Sequence, residues 1–451
     1  MPTLLLAIAT EPDLAANLLA ARLQMALTLG AHITLAVFGV GMPVLLLAAE
    51  WRYLRSGDHV WKALAHRWSK VFAVLFAVGA VSGTVLSFEL GLLWPEFMSR
   101  YGAVIGFPFA MEGFAFFLEA IFVGIYLYGW GRLAPWVHWW CGWPIAISGC
   151  ASAWFVVTVN SWMNCPRGFT WENGAVVDVD PVAAMLNPCA WPQAVHMIVA
   201  AYMVTGFIVA GCYAWRLLRV PNSLYNRRAM ALGLLMGAVM TPVQFVVGDW
   251  MARTVAATQP VKLAAMEGQF RTQADAPLRI GGLPDTDARE TRFALEIPGM
   301  LSYLAYHDRQ AVVQGLDAFP RHEWPPIPVV HVAFQIMVGI GGLLMLVTAY
   351  ALVVAIARRT VPQARWFLWL LVACGPLAWL ALEAGWVVTE VGRQPWLVHQ
   401  VARTADLVTH SPYVSWMLAA TLTIYALILL GTFSVLRRLG RTPLPEDARG
   451  A

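Results

Sequence analysis

The sequence predicts an all-α integral membrane protein with about nine transmembrane helices, a periplasmic N-terminus, a cytoplasmic C-terminus and one long periplasmic loop. Three observations lead to this prediction. The chain is 59% hydrophobic and only 12% charged, whereas a soluble domain is about 25% charged. Nine apolar runs are each long enough to cross a bilayer, which takes roughly 20 residues. Lys and Arg residues gather in alternate loops, as expected when those loops are cytoplasmic.

Each apolar run is expected to be helical, because lipid cannot satisfy the backbone groups of an open chain. The predicted spans are 22–49, 69–94, 104–130, 138–163, 191–218, 228–251, 327–357, 366–391 and 411–437. They divide the chain into residues 1–251 with spans 1 to 6, the loop 252–326, residues 327–438 with spans 7 to 9, and a cytoplasmic tail 439–451. A loop as long as 252–326 is usually functional or disordered.

The charge of the short loops predicts the orientation. Basic residues concentrate in the first, third, fifth and seventh connections and in the tail, namely Arg52, Arg55, Lys62, Arg67, Arg132, Arg216, Arg219, Arg227, Arg228, Arg358, Arg359, Arg365, Arg437, Arg438, Arg441 and Arg449. The short loops between these hold only Arg100, Arg167, Arg393 and Arg403. We therefore expect the basic loops to face the cytoplasm. We expect no cleavable signal peptide, because Met1–Thr10 lacks a positively charged start.

The net charge bears on the binding partners, and the positions of the cysteines bear on disulfide formation. A net charge of +4 without a basic tract argues against nucleic acid as a partner. Of the six Cys, Cys165 and Cys189 both fall in the fourth loop, on the predicted outer side, where disulfides persist. We predict that these two pair, the alternative being two unpaired thiols at span ends. The other four lie in or near spans and are expected to pack.

An ionisable side chain inside a span is costly, so it is a functional candidate by default. The candidates are His32, Glu112, Glu119, His196 and Glu383, with Met337 as a possible soft metal ligand. At about 1.5 Å per helical residue, all but Glu119 fall in the outer half of the bilayer. A His with a Met gives a six-coordinate haem iron suited to electron transfer, which His196 and Met337 could provide. His32 and Glu383 could each hold a five-coordinate iron open to oxygen.

Simpler interpretations of these residues are also possible. A single His in a span is more often a satisfied core residue than a ligand, and Met in a span usually packs. His138, His331 and His410 lie at span ends, where we expect them to be interfacial. Glu112 and Glu119 are seven residues apart, which places them on one helix face about 10 Å apart along the axis. Two such acids suit a proton relay, although each could instead be a structural acid bonded to a neighbouring helix.

Short motifs around these positions, taken in order, resemble subunit I of the cytochrome bd quinol oxidases. The resemblance covers nearly the whole chain, from Arg22 to about Arg438. The motifs are Arg22-Leu23-Gln24-Met25-Ala26-Leu27-Thr28 leading to His32, Gly106-Phe107-Pro108-Phe109-Ala110-Met111-Glu112-Gly113, Phe116-Phe117-Leu118-Glu119, Asn160-Ser161-Trp162-Met163-Asn164, Lys262-Leu263-Ala264-Ala265-Met266-Glu267, Phe334-Gln335-Ile336-Met337, Trp379-Leu380-Ala381-Leu382-Glu383-Ala384-Gly385-Trp386 and Gly392-Arg393-Gln394-Pro395-Trp396.

The resemblance implies three haems: a low-spin haem b, a high-spin haem b and a haem d. His196 and Met337 match the ligands of the low-spin haem. His32 and Glu383 match the axial ligands of the two high-spin haems, in an order that the sequence leaves open. Arg393 matches a further cofactor-binding position.

The resemblance also implies how protons, electrons and quinol are handled. Glu112 matches an acid beside the high-spin pair, and Glu119 and Ser152 match a proton path from the cytoplasm. Trp379, one turn before Glu383, is expected on the electron route. In the loop 252–326, Lys262 and Glu267 match quinol-binding positions, although charged side chains on a loop are usually solvated. The implied reaction is oxidation of quinol at the outer face and reduction of O2 to water.

The sequence departs from the family pattern at two places. Gln335 stands where the resemblance implies an Arg, which should alter the potential of the low-spin haem or its propionate pairing. The spacing between Glu112 and Glu119 is one residue shorter than implied. The expected partners are subunit II, small accessory single-span subunits, ubiquinol or menaquinol, O2 and the lipid of a bacterial inner membrane.

Three alternatives remain open. A related cyanide-insensitive oxidase would carry haem b in place of haem d, with the same axial ligands. A secondary transporter would show pseudo-symmetric repeats and broken helices, and the sequence contains no such repeat. A cytochrome b subunit of a quinol dehydrogenase would not need five-coordinate sites such as those proposed at His32 and Glu383.

Overall fold

A computed structural model describes residues 14–172 and 175–441, and within them nine helices are long and apolar enough to cross a membrane. They are α1 (Leu14–Ser56), α2 (His59–Leu93), α3 (Pro95–Gly129), α4 (Pro135–Asn164), α6 (Ala190–Arg219), α7 (Leu224–Thr258), α10 (Ile327–Arg358), α11 (Arg365–Val391) and α12 (Val414–Arg441). The nine predicted spans are therefore confirmed. Most helices extend past the predicted limits, because polar residues can continue a helix beyond the apolar run. Part of the predicted tail 439–451 lies outside the described residues.

Short elements fill the connections on one side of the bundle. Three are α-helices, α5 (Pro181–Met185), α8 (Pro260–Glu267) and α9 (Met300–Tyr306), and three are 3-10 helices, Leu316–Ala318, Arg321–Glu323 and Ala405–Leu407. The others form four two-stranded antiparallel sheets: β1 (Thr170–Glu172) with β2 (Ala175–Val177), β3 (Leu278–Ile280) with β6 (Leu295–Ile297), β4 (Leu283–Asp285) with β5 (Glu290–Arg292), and β7 (Trp396–Val398) with β8 (Ala402–Arg403). In the β3–β6 pair, Arg279 stands opposite Glu296.

Backbone hydrogen bonds gather these connections at a single end of the bundle. The Thr409 amide donates to the Leu93 carbonyl at the end of α2, and the His399 amide donates to the Met163 carbonyl near the end of α4, each at 2.9 Å. The Asn17 side chain, near the start of α1, donates to the Thr409 carbonyl at 3.2 Å. The opposite end holds the short connections that are rich in Lys and Arg. The assignment of these two ends to the outer and cytoplasmic sides stays a prediction.

Helix α6 lies in the middle of the bundle, packed against α1, α4, α7 and α11. Small residues permit this close packing, as is common between membrane helices. A Cβ at Gly206 would lie 2.5 Å from the Gly237 nitrogen of α7, and a Cβ at Gly211 would lie 2.8 Å from the Leu371 carbonyl oxygen of α11. Backbone atoms cannot move aside easily, so these positions require glycine. The tight contacts fix α6, which carries His196, relative to its neighbours.

A disulfide joins Cys165 at the end of α4 to Cys189 at the start of α6, with their Cα atoms 6.0 Å apart. It ties the two ends of the segment that carries β1, β2 and α5. The other four cysteines, Cys141, Cys150, Cys212 and Cys374, are free in the described structure.

We expect this disulfide to be measurable by alkylation of the denatured protein followed by mass spectrometry. Without reductant, only the four free cysteines should be modified. With reductant, Cys165 and Cys189 should each gain one adduct. The four free cysteines serve as the internal control, since their labelling should be the same in both samples. Modification of Cys165 and Cys189 without reductant would show that the pair is reduced in the native protein.

Candidate functional site

A largely apolar cavity of about 680 Å³ lies between α1, α2, α3, α4, α6 and α11. This volume is typical of cavities that bind cofactors and other small molecules. Its few polar side chains include His32, Glu112, Glu119, Ser152, Asn160, Glu390 and Arg393. The structure therefore brings together five residues that the sequence singled out, from three different helices and the segment that follows α11.

His32 on α1 is oriented by α2. Its Nδ1 lies 2.9 Å from the Ser82 hydroxyl, which itself donates to the Gly79 carbonyl at 2.9 Å. Because that hydroxyl donates elsewhere, it accepts from Nδ1–H, which leaves Nε2 with a free lone pair. A Cβ at Gly83 would lie 2.9 Å from His32 Cε1, so glycine makes room for the ring. A neutral imidazole held in this tautomer is suited to ligate a metal through Nε2.

Glu383 on α11 contacts the same turn of α1. Its Oε1 accepts from the Thr34 hydroxyl at 3.0 Å, and the Trp379 indole N–H donates to that hydroxyl at 2.8 Å. A Cβ at Gly30 would lie 3.2 Å from Glu383 Oε2. The structure thus groups His32, Glu383 and Trp379 around one turn of α1. Thr34 was missed in the sequence because a Thr within an apolar run carries no distinctive signal.

The two acids of α3 face the cavity together, in agreement with their seven-residue spacing. Ser152 on α4 donates a hydrogen bond to Glu112 Oε1 at 3.0 Å. Glu119 is 4% exposed, and its Oε1 has no hydrogen-bond partner among the described residues. A Cβ at Gly149 would lie 3.2 Å from that oxygen. The arrangement places two carboxyl groups and a hydroxyl along one wall of the cavity.

His196 and Met337 lie on α6 and α10, and both of these helices pack against α7 and α11. The amide nitrogen of Gln244 lies 3.1 Å from His196 Nε2. A Cβ at Gly248 would lie 3.7 Å from His196 Cε1, and a Cβ at Gly385 would lie 3.0 Å from Met337 Sδ. Each candidate ligand therefore faces a glycine on a neighbouring helix, which leaves space beside it.

Lys262 and Glu267 lie on the short helix α8, and each is only 4% exposed. The alternative that these charged side chains are solvated is therefore wrong for both. The Lys262 ammonium donates to Asn164 Oδ1 at 2.6 Å and to the Thr389 carbonyl at 3.4 Å. Burial lowers the pKa of Lys262 to about 7, an effect that Arg393 reinforces. Burial raises the pKa of Glu267 to about 8. Glu267 Oε2 has no hydrogen-bond partner within the described part of the chain.

A buried polar network links α8 to the cavity. Asn160 donates to Glu390 Oε1, and Arg393 donates to Glu390 Oε2 at 2.7 Å. Asn164 donates to the Asn160 carbonyl at 2.9 Å and accepts from Lys262. Asn160, Asn164 and Glu390 had no role predicted from the sequence. Two Asn residues one turn apart in an apolar span are themselves a signal that could have identified this network.

The residues around the cavity fit a haem. Arg393 is almost fully buried, and its Nε and Nη1 have no hydrogen-bond partner in residues 14–172 and 175–441. Such N–H groups suit a carboxylate, and a haem carries two propionates. His32 offers a free Nε2 on the apolar wall of the same cavity. A large apolar cavity with one nitrogen ligand and one buried cation matches the chemistry of that cofactor.

Two His residues near span ends are enclosed by other side chains of the protein. His138 and His331 were expected at the membrane interface, yet both are buried. His138 Nδ1 lies 2.6 Å from Glu50 Oε1, and His331 Nδ1 lies 2.8 Å from the Met266 carbonyl oxygen. Glu89 is a further buried acid inside a span, and it was not among the predicted candidates. Position in a span predicts depth, whereas burial depends on which neighbouring helix covers the side chain.

Comparisons with known proteins agree with the motifs. A family model described as cytochrome bd terminal oxidase subunit I matches residues 20–443. The cytochrome bd-II ubiquinol oxidase subunit 1 of Escherichia coli (strain K12) is 30% identical, covering 93% of this chain and 95% of that protein. The cytochrome bd ubiquinol oxidase subunit 1 of Bacillus subtilis (strain 168) is 30% identical, covering 87% and 86%. The solved structure of the bd oxidase from Geobacillus thermodenitrificans matches with a TM-score of 0.89 and 41% identity, covering 94% of this chain and 98% of that chain.

Proposed function

Because the chain belongs to the cytochrome bd terminal oxidase subunit I family, we propose that it oxidises a quinol at its outer face and reduces O2 to water with protons taken from the cytoplasm. Membership of this family makes the chain a haem-bearing membrane subunit of a respiratory quinol oxidase. The observation that best supports the fuller proposal is the cavity. It is lined by a candidate haem ligand, a buried cation and three side chains that can carry protons, namely His32, Arg393, Glu112, Glu119 and Ser152.

The proposed haem ligands come from the family resemblance, and the contacts described above support them. We assign His196 and Met337 to a low-spin haem b, and His32 and Glu383 to a high-spin haem b and a haem d or further haem b. Arg393 would hold propionate groups through Nε and Nη1, which have no partner within the described part of the chain. When bound, the haems carry electrons and bind and reduce oxygen. The protein supplies the ligands, an apolar surrounding and, through Trp379 and Thr34, a fixed position for Glu383.

Protons for oxygen reduction would move along the wall formed by α3 and α4. The Ser152 hydroxyl is bonded to Glu112, and Glu119 lies two helical turns further toward the predicted cytoplasmic end. Buried carboxyl groups on one face can pass a proton to one another when water or a hydroxyl lies between them. Glu119 Oε1, which has no hydrogen-bond partner among the described residues, is a ready acceptor for such a proton.

Quinol oxidation releases protons, and α8 carries two groups suited to receive or position them. The Glu267 carboxylate would accept a proton from the quinol, and the Lys262 nitrogen would hydrogen-bond the quinone oxygen. A general base works best when its pKa is near the working pH, and the pKa of Glu267 is raised to about 8. Because the base must be deprotonated, we expect the rate of quinol oxidation to rise as the pH increases through the pKa of Glu267.

The partners and location are proposed from the family and from the surface. Helices α3, α10 and α12 expose large apolar side chains such as Phe114, Leu346 and Trp416. Surfaces of this kind fit lipid or another membrane subunit. We propose assembly with subunit II and small single-span subunits in a bacterial inner membrane. The quinol would be ubiquinol or menaquinol.

The direct test is the reduced-minus-oxidised absorption spectrum of membranes that express this chain with its partner subunits. We expect b-type bands together with a long-wavelength chlorin band, and quinol-dependent oxygen uptake. Only b-type bands with oxygen uptake would identify the haem b variant of the oxidase. Membranes that hold the assembled protein but show no haem signal would contradict the proposal.

A further inference from the structure

We propose that Arg279 supplies the positive charge that balances Glu267 in the quinol site, and that Gln335 is the positioning residue that holds Arg279 there. This inference rests on the proposed role of Glu267 as the acceptor of the quinol proton. It assigns functions to a strand of the long loop and to the start of α10.

The guanidinium of Arg279 lies at the C-terminal end of α8, directly after Glu267. It donates to Gln269 Oε1 and, at 3.4 Å, to the Gly268 carbonyl. Its Nε donates to Glu296 Oε1 on the paired strand at 2.9 Å. The side chain of Arg279 is only 14% exposed. A half-buried cation is thus fixed against the two residues that follow the proposed base.

Gly268 makes this close approach possible. It caps α8 in the left-handed conformation, with φ +60°, which favours glycine. A Cβ at this position would lie 2.5 Å from the Thr291 hydroxyl oxygen and 3.3 Å from His331 Nδ1. The Gly268 carbonyl also accepts from Thr291 at 2.8 Å. Side chains from β3, β5 and α10 therefore converge on the turn that follows Glu267.

Two side chains at the start of α10 hold the strand that carries Arg279. The Gln335 amide donates to the Arg279 carbonyl at 3.0 Å and accepts from the Gly281 amide at 2.9 Å. One turn earlier, His331 Nε2 lies 3.1 Å from the Gly281 carbonyl oxygen. Met337 follows on the same helix two residues after Gln335. One rigid helix thus fixes both the proposed haem ligand and the strand that places a cation beside Glu267.

Other charged or titratable groups also surround α8. Lys262 lies on α8 itself, His331 on α10 and Glu296 on β6. The groups around Lys262 are Glu390, Arg393 and His399. Among all of these, Arg279 is the group whose charge lowers the pKa of Glu267 and so opposes the effect of burial. Without this cation, burial alone would favour the protonated acid, which cannot accept a proton from quinol.

The test is the pH dependence of kcat/KM for quinol oxidation by the complete oxidase. In Arg279→Gln, we expect the acid limb of the profile to move to higher pH by about one unit or more, as for loss of a neighbouring opposite charge. Arg279→Lys should restore most of the position of that limb. Gln335→Leu should move it in the same direction by a smaller amount, because Arg279 remains but is held less firmly.

The matched control is Arg292→Gln. Arg292 is an exposed arginine of β5 in the same loop, paired with Asp285 and Glu290. This variant should leave the profile unchanged. The haem spectrum of each variant reports whether the complex has assembled, and Arg279→Lys and Gln335→Leu keep the test available if Arg279→Gln fails to assemble.

Glu267→Gln separates the two proposals. Suppose that Glu267→Gln slows quinol oxidation, but the acid limb of the pH profile does not move in Arg279→Gln or Gln335→Leu. The inference about Arg279 is then overturned, and the role of Glu267 stands. If Glu267→Gln retains full activity, the proposed role of Glu267 fails, and the inference fails with it.

Discussion

Replacement of His196 by alanine should abolish the low-spin haem signal of the oxidase while part of the high-spin haem signal remains. His196 lies near the start of α6, with the Gln244 amide and Gly248 of α7 beside its ring. Removal of an axial ligand from a six-coordinate iron changes its spin state or prevents binding of that haem. His32 and Glu383 lie together around one turn of α1, away from the contacts of His196, so the haem sites proposed there should survive. Visible and electron paramagnetic resonance spectra of the purified complex measure this result.

Met337→Leu should give the same loss for the same reason, because leucine fills the volume but cannot ligate iron. A matched control is Met203→Leu, since Met203 is a buried methionine of α6. That substitution should keep the low-spin signal, because a swap of Met for Leu in a core usually costs less than about 1.5 kcal/mol. An unchanged low-spin band in both His196→Ala and Met337→Leu would show that these residues are not the ligands.

Glu119→Gln should slow oxygen reduction by about 100-fold, with all haems retained. Glutamine has nearly the shape of glutamate, so the packing of the buried side chain against Gly149 should be preserved. It cannot take up and release a proton, and loss of a proton-transfer group typically costs about 10²-fold to 10⁴-fold in rate. Flash photolysis of the reduced, CO-bound oxidase in the presence of oxygen would resolve the proton-coupled step.

Glu96→Gln is the control for this effect. Glu96 lies on the same helix but is exposed, and it pairs with Arg100 at 2.5 Å. Its replacement should leave both the spectrum and the rate unchanged. If Glu119→Gln were as active as the unmodified oxidase, Glu119 would be a structural acid, and the proton path would have to be sought elsewhere.

The fold could be predicted from the sequence because the bilayer imposes a local rule. A run of apolar residues crosses the membrane as a helix whichever helices surround it. The same rule identifies Glu112, Glu119, His196 and Glu383, since the cost of a polar group in lipid depends on its own span. The helix ends were less predictable, as shown by α1, which runs to Ser56 although the predicted span ended at residue 49.

Polar side chains near the span ends could not be assigned from the sequence. His331 was expected at the membrane interface, and the alternative for Lys262 was a solvated side chain, yet both side chains are buried. Glu50 had no evident role until His138 and Tyr126 were found bonded to its two oxygens. In each case burial is decided by a partner that lies far away in the chain.

The sequence by itself determined nine spans, the alternation of basic loops, the family and the residue types able to ligate haem or carry protons. Only the tertiary structure decided which of them meet. The hydrogen bond between Thr34 and Glu383 joins residues 349 positions apart, and that between Lys262 and Asn164 joins residues 98 apart. The physical reason is that hydropathy is a property of each segment alone, whereas contacts between helices depend on how all of them pack. The close approach of α6 to its neighbours at Gly206 and Gly211 sets that packing, and with it the shape of the site.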